Sequence, residues 1–258
     1  MTLNYKTYGT GEPLIVLHGL FGTADNWQTL AKQWAAHFTV FALDLRNHGR
    51  SPFGESHTYN DLTADIAEFM AQHNILRANL LGHSMGGKAA MHFVQKHPER
   101  IKKLLIADIA PRNYKTGHEG VFDALFAVDL STNPSRSEVE STLKEYILND
   151  NGTLQFLLKN LTRDTETNAL VWKINIPVLH KHYYEIIGNI AIPNTIETPT
   201  LFLRGGNSKY INDVDWSYIT DVFGDVRLAT VPNAGHWLHA ENPSGFSAAA
   251  LDFLNQKP

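Results

Sequence analysis

The sequence has no cysteine, and that absence removes disulfides, thiolate metal sites and cysteine nucleophiles at once. It also lacks a basic run. Lys and Arg number 22 against 26 Asp and Glu, a formal net charge of −4, so the electrostatic footprint of a nucleic-acid binder is missing. Apolar runs are short: Leu14 to Leu17 and Leu104 to Ala110 have strand length and fall far short of the roughly 20 residues that cross a bilayer. The opening residues, Met1 to Gly9, carry neither the basic segment nor the about 7 to 15 apolar residues of a secretory signal. There is no H-E-x-x-H, no glycine-rich phosphate loop, no dinucleotide fingerprint, no internal repeat and no low-complexity tract. The expectation is a soluble, cytoplasmic protein with no metal and no cofactor, a monomer or small homo-oligomer whose partner is a small molecule.

What is present is a β/α rhythm. At 258 residues and 43% hydrophobic content the chain can bury one large core. Strand-like runs at Leu3 to Tyr8, Leu14 to Leu17, Thr39 to Leu43, Ala78 to Leu81 and Leu104 to Ala107 alternate with helical spacing over Trp27 to Ala36, Tyr59 to His73 and Gly86 to His97. Leu62, Ile66, Phe69 and Met70 form a stripe one helix face wide. Between Pro111 and Pro193 strand signals weaken, and Ser137 to Leu148 and Leu154 to Leu161 read as helices. The rhythm resumes with strands at Thr200 to Leu203 and Val226 to Val231 and a terminal helix from about Pro243 to Asn255. The pattern predicts an α/β fold, a mainly parallel sheet with helices on both faces. Residues 1–111 and 194–258 form its core, with 112–193 inserted as a helical cap inside one catalytic domain. Ligands of open α/β sheets bind beyond the carboxyl ends of the strands, so the cap is expected over that edge.

Gly82-His83-Ser84-Met85-Gly86-Gly87 contains the G-x-S-x-G pattern that seats a nucleophilic serine on a sharp strand-to-helix turn, and its flanks read as the required strand and helix. A side chain at position 82 or 86 would collide with neighbouring backbone in so tight a turn. A serine hydroxyl needs a base, and histidine is best matched to that task. His37, His57, His73, His92 and His97 lie near helix ends, in loops or on the following helix. His236, in Pro232-Asn233-Ala234-Gly235-His236-Trp237 after the last strand, stands where the chain order Ser, acid, His puts the base, with His239 as its nearest rival.

The acid must hold the imidazole in one tautomer. The loop after the next-to-last strand, Arg204-Gly205-Gly206-Asn207-Ser208-Lys209, has no carboxylate before Asp213, whereas Asp108 sits in an otherwise apolar strand end and asks for a buried partner. Asp108 is the candidate acid and Asp213 the alternative. Oxyanion donors are expected at the backbone N–H of Met85 and of Leu20 in His18-Gly19-Leu20-Phe21-Gly22, with Phe21 N–H as the alternative to Leu20. Phe21 and Trp237 are candidate substrate contacts, and Phe122, Phe126, Phe156, Trp172, Tyr183 and Tyr184 are candidates for an apolar acyl pocket or for plain packing of cap on core. Asp44 is read as organising its loop together with Arg46.

Taken together, His18-Gly19-Leu20-Phe21-Gly22, Asp44-Leu45-Arg46-Asn47-His48-Gly49, Gly82 to Lys88, Asp108-Ile109-Ala110-Pro111, Gly205-Gly206-Asn207-Ser208 and Gly235 to Glu241 resemble the YbfF-type esterases of the α/β-hydrolase superfamily over nearly the whole chain. The resemblance implies a cytosolic carboxylesterase acting on short acyl esters, with acyl-CoA thioesters as a further class, and it takes the acid from the position of Asp108. Two other readings share the scaffold: a cofactor-free lyase or carbon-carbon hydrolase, and a non-enzymatic receptor or interaction protein. Serine at position 84 argues against the dehalogenase and epoxide-hydrolase chemistries, which use aspartate there.

Overall fold

Leu14 to Leu17 present apolar side chains to both faces and all are buried, the signature of a central parallel strand covered on each side. The sheet is built outward from it. The computed structural model of the protein describes residues 1–256; residues 257–258, the end of the expected 194–258 segment, lie outside the described residues. In chain order the elements are β1 (Tyr5–Tyr8), β2 (Glu12–Leu17), α1 (Gln28–Trp34), β3 (Phe38–Leu43), α2 (Tyr59–Gln72), β4 (Ala78–His83), α3 (Met85–Lys96) and β5 (Ile101–Ala107). The chain then leaves the sheet for α4 (Glu119–Ala127), α5 (Arg136–Tyr146), α6 (Asn151–Leu158), a hairpin of β6 (Leu161–Arg163) and β7 (Leu170–Trp172), α7 (Ile176–Lys181) and α8 (Tyr183–Ile187). It returns through β8 (Thr200–Gly205), α9 (Asp213–Val222), β9 (Val226–Val231), α10 (Leu238–Glu241) and α11 (Pro243–Asn255).

The seven-stranded sheet has the order β1-β3-β2-β4-β5-β8-β9, antiparallel only at the β1–β3 edge. This is the mainly parallel sheet with helices on both faces that the alternation predicts. From β2 the chain crosses to β3 on one side, and β4 then takes the other side. The loops leaving β2 and β4 therefore diverge and open a crevice at their carboxyl ends.

Two cores flank the sheet. On one face α2 and α3 pack with the inserted helices; on the other, Trp27, Trp34 and Phe246 seal α1 and α11 against the strands. Leu62, Ile66, Phe69 and Met70 of α2 are all buried, so that stripe contributes on the order of 2 kcal/mol per side chain to the fold. A capping box between Thr58 and Asp61 starts this helix.

The inserted segment departs from the purely helical expectation. The helix read through Leu161 stops at Leu158 because Lys159 and Asn160 tighten into a turn, their N–H groups bonding the carbonyls of Phe156 and Leu157, and Leu161 pairs with Trp172 instead. Asp164 accepts from the N–H groups of Glu166 and Thr167 and so closes the hairpin loop. Both roots of the segment are tied to α3 by Lys88, whose buried ammonium donates to the carbonyls of Arg112 and Ile187 at 2.9 Å each and to that of Gly188. Burial and the neighbouring Arg112 push the Lys88 amine down to about 7. Among the described residues no helix is long and apolar enough to cross a membrane.

Candidate active site

Ser84 sits between the end of β4 and the first residue of α3 with φ 53 and ψ −120, a strained conformation for a residue bearing a Cβ. The surroundings enforce it: Ser84 N–H bonds the Ala107 carbonyl at 3.0 Å, and its own carbonyl accepts from Lys88 N–H at 3.1 Å. The turn closes only without side chains. A Cβ on Gly82 would lie 2.1 Å from the Gly86 carbonyl oxygen, and one on Gly86 would lie 2.5 Å from that of His18.

Asp108, at the end of β5, also has positive φ (50) and is fully buried. Its Oδ1 accepts from Gly205 N–H at 3.1 Å, and its Oδ2 accepts from both Ser208 Oγ–H and His236 Nδ1–H, the latter at 2.8 Å. With Nδ1 committed as a donor, His236 Nε2 is left as an acceptor, and Ser84 Oγ lies 3.1 Å from it. Asp213 is elsewhere: it is fully exposed in the first turn of α9, with Arg204 at 3.7 Å.

Three donors around one carboxylate offset the desolvation that would otherwise make a buried charge costly. Sequence reasoning missed Ser208. Its signal was a hydroxyl standing in the very loop where a carboxylate was sought, invisible until the fold brings β8 beside β5.

Leu20 and Met85 both line the crevice over Ser84. Met85 N–H opens α3, Leu20 N–H follows β2, and among the described residues neither has a hydrogen-bond partner. Phe21 N–H differs: it donates to His48 Nε2 at 3.2 Å, so it is committed and does not serve as the alternative to Leu20. The Phe21 carbonyl accepts from Asn160 of the inserted segment at 2.9 Å, which fixes the loop from the other side.

Buried histidines hold this scaffold. His18 donates from Nδ1 to the Gly19 carbonyl and accepts from Leu45 N–H at Nε2; His48 bonds the Arg46 carbonyl in the same way. His57 reaches Met85 Sδ at 3.3 Å, His83 donates to the His236 carbonyl at 2.8 Å, and His239 stacks on Trp27 at 4.5 Å between ring centroids. Burial lowers all five: His18 to about 4, His48 and His239 to about 3, and His57 and His83 well below the usual range.

Their contribution to stability is complete above about pH 6.5 and is lost as the pH falls toward those folded-state values, because the unfolded chain then binds protons that the folded chain refuses. Each fully buried neutral histidine costs about 1.4 kcal/mol per pH unit in that window. Urea unfolding followed from pH 7 to 5 should show an uptake of about five protons at pH 5. An uptake of one proton or less would contradict the neutral-histidine scaffold.

Asp44 organises its loop, accepting from the N–H groups of Ala24 (2.7 Å) and Arg50 (2.9 Å) and from the Asn4 amide. Arg46 is not its partner. The guanidinium turns instead to α2, with Asp65 at 2.6 Å and Asp61 at 3.0 Å, because Asp65 is buried and needs a counter-charge.

A cavity of about 730 Å³ opens over Ser84 and His236, with Leu20, Phe21, Ile147, Phe156 and Trp237 in its walls. Of the six aromatic side chains of the inserted segment considered above, only Phe156 lines it, resting on Trp237 at 5.2 Å. Phe122 is turned onto Phe21 and Tyr183, Trp172 belongs to the hairpin, and Phe126 and Tyr184 are exposed. Among the described residues no three His, Asp or Glu side chains converge as metal ligands would.

The model of the alpha/beta hydrolase fold family matches residues 12–243. The chain is similar to Esterase YbfF of Escherichia coli (strain K12), with 36% identity over 95% of this chain and 93% of the relative. It is also similar to the sn-1-specific diacylglycerol lipase ABHD11 of Danio rerio, 33% identical over 98% of this chain and 83% of that protein. A solved structure described as a marine microorganism esterase superposes with a TM-score of 0.94 at 42% identity, covering 98% of this chain and 99% of the other.

Proposed function

Because the chain belongs to the alpha/beta hydrolase family, we propose that it is a serine carboxylesterase, cleaving short acyl esters and also acyl-CoA thioesters through an acyl-enzyme. Ser84 Oγ attacks the acyl carbon while its proton passes to His236 Nε2, and the carbonyl oxygen, now negative, accepts from the N–H groups of Leu20 and Met85. The tetrahedral intermediate collapses as the imidazolium returns the proton to the departing alkoxide or thiolate. Water then repeats the sequence: His236 takes its proton, hydroxide adds to the acyl carbon, and the carboxylic acid leaves as Ser84 recovers its hydrogen.

Asp108 keeps Nδ1 protonated and stabilises the imidazolium, with Ser208 and Gly205 holding the carboxylate in place. Phe21 and Trp237 flank the acyl group, and the inserted segment 112–193 serves as the cap. One observation carries the reading: an unbroken line of hydrogen-bond distances, 3.1 Å then 2.8 Å, from Ser84 through His236 to Asp108. The relatives named esterase and lipase support ester hydrolysis as the reaction.

A panel of p-nitrophenyl esters and acyl-CoA thioesters of graded length tests this. Turnover of p-nitrophenyl acetate and butyrate is expected to exceed background by at least about 10³-fold, the level that oxyanion binding alone sustains in such sites. Turnover barely above background would assign the site to lyase or carbon-carbon bond chemistry, and no reaction with any acyl donor would point to a receptor.

A further inference from the structure

The loop after β8 carries a side chain that the relay above does not use. Tyr210 lies in the wall of the cavity with its ring stacked on the His236 imidazole, 3.7 Å between centroids and 15° between planes. We propose that Tyr210 is a positioning residue for His236, whose ring face stabilises the imidazolium formed when Ser84 gives up its proton. The inference rests on His236 being the base for Ser84.

The backbone of Tyr210 is held for this purpose. Its carbonyl accepts from Tyr114 Oη–H at 2.6 Å, and its N–H donates to Ser208 Oγ at 3.2 Å, which orients the Ser208 hydroxyl hydrogen toward Asp108. Tyr114 lies nearly parallel to Tyr210 at 5.1 Å, and its own ring carries the Arg112 guanidinium at 4.0 Å and the Lys88 ammonium at 4.9 Å. Tyr114 N–H donates in turn to the Ile187 carbonyl at the far root of the inserted segment. The stack is therefore anchored to both the sheet and the segment above it.

The face of an aromatic ring is electron-rich and attracts a cation placed over it. His236 is neutral before reaction and cationic in the transition state, so the attraction grows along the reaction coordinate and appears in kcat rather than in binding. The carboxylate that bonds the His236 ring is Asp108; that of Glu241 accepts from the N–H groups of Gly235 and Trp237 on either side of His236, and the Arg112 guanidinium lies on the outer ring of the stack. His83, His118 and His239 also face His236, and burial lowers each of them, so none adds a competing positive charge at neutral pH. The Tyr210 hydroxyl has no hydrogen-bond partner among the described residues, which assigns the effect to the ring and not to the phenol oxygen.

Steady-state kinetics on p-nitrophenyl butyrate across pH separate this from a packing role. Tyr210→Leu keeps an apolar cover and removes the ring. It should lower kcat about three- to tenfold with KM within about twofold, and it should move the acid limb of the kcat/KM profile to lower pH by about half a unit to one unit. Tyr210→Phe should rescue both. Should the leucine variant fold poorly, replacement of Tyr210 by phenylalanine and its mono-, di- and pentafluoro analogues keeps the shape, and kcat and the acid limb should fall step by step as the ring face loses electron density. Unchanged kcat and acid limb in Tyr210→Leu, or a fluorinated series that stays flat, overturns the proposal while leaving ester turnover by the wild type, and with it the Ser84 reading, intact.

Discussion

Asp108→Asn should lower kcat by about four orders of magnitude and leave KM within a few fold. The carboxylate receives three donors: Gly205 N–H on Oδ1, and Ser208 Oγ–H and His236 Nδ1–H on Oδ2. An amide has only one oxygen. If that oxygen faces Gly205, the NH2 group points at His236 Nδ1 and stabilises the tautomer protonated on Nε2, which cannot accept a proton from Ser84. If the oxygen faces His236, the amide hydrogens oppose Gly205 N–H inside a fully buried site. Either orientation removes the negative charge that the imidazolium needs. Asp213→Asn is the control and should leave kcat within a few fold, since this side chain is solvent-exposed and lies 3.7 Å from Arg204. Kinetics of both variants on one p-nitrophenyl ester settle the ranking, and the reverse order would move the acid to the first turn of α9.

Much of the fold was legible because the signals were local. The continuous apolar run of β2, the alternation of strands and helices, the i, i+4, i+7, i+8 stripe of α2 and the bounds of β9 and α11 are each written within a short stretch of consecutive residues. The strand-to-helix turn at Ser84 was legible for the same reason, since Gly82 and Gly86 are spaced by the turn itself.

What stayed hidden depends on contacts between distant segments. Asp108 and Ser208 are 100 residues apart and meet only because β5 and β8 pair, with the whole inserted segment between them. Nothing in the sequence sets Tyr210 apart, and only the fold places its ring on His236. His48 looked like part of a loop motif, yet it takes Phe21 N–H and so leaves Leu20 as the open donor. The hairpin of β6 and β7 was lost because strands of three residues carry too little periodicity to register. Arg46 was assigned to the nearer Asp44, whereas the buried Asp65 on α2 has the stronger need for it.

The second large effect concerns the nucleophile. In the proposed mechanism Ser84→Ala removes the atom that bonds to the acyl group, and kcat should fall by about 10⁶-fold, leaving the residual rate that the proposed Leu20 and Met85 donors sustain alone. Alanine occupies the same strained turn with a Cβ already accommodated, so the circular dichroism spectrum and unfolding midpoint should match the wild type.

A fluorophosphonate reports on the activated hydroxyl itself, independently of any guess about substrate, because phosphonylation requires an oxygen whose proton has somewhere to go. Intact-mass spectrometry after incubation with such a probe should find one adduct per wild-type chain, mapped to the peptide holding Ser84, and none on Ser84→Ala. An unlabelled wild type, or an alanine variant labelled to the same extent, would contradict the account.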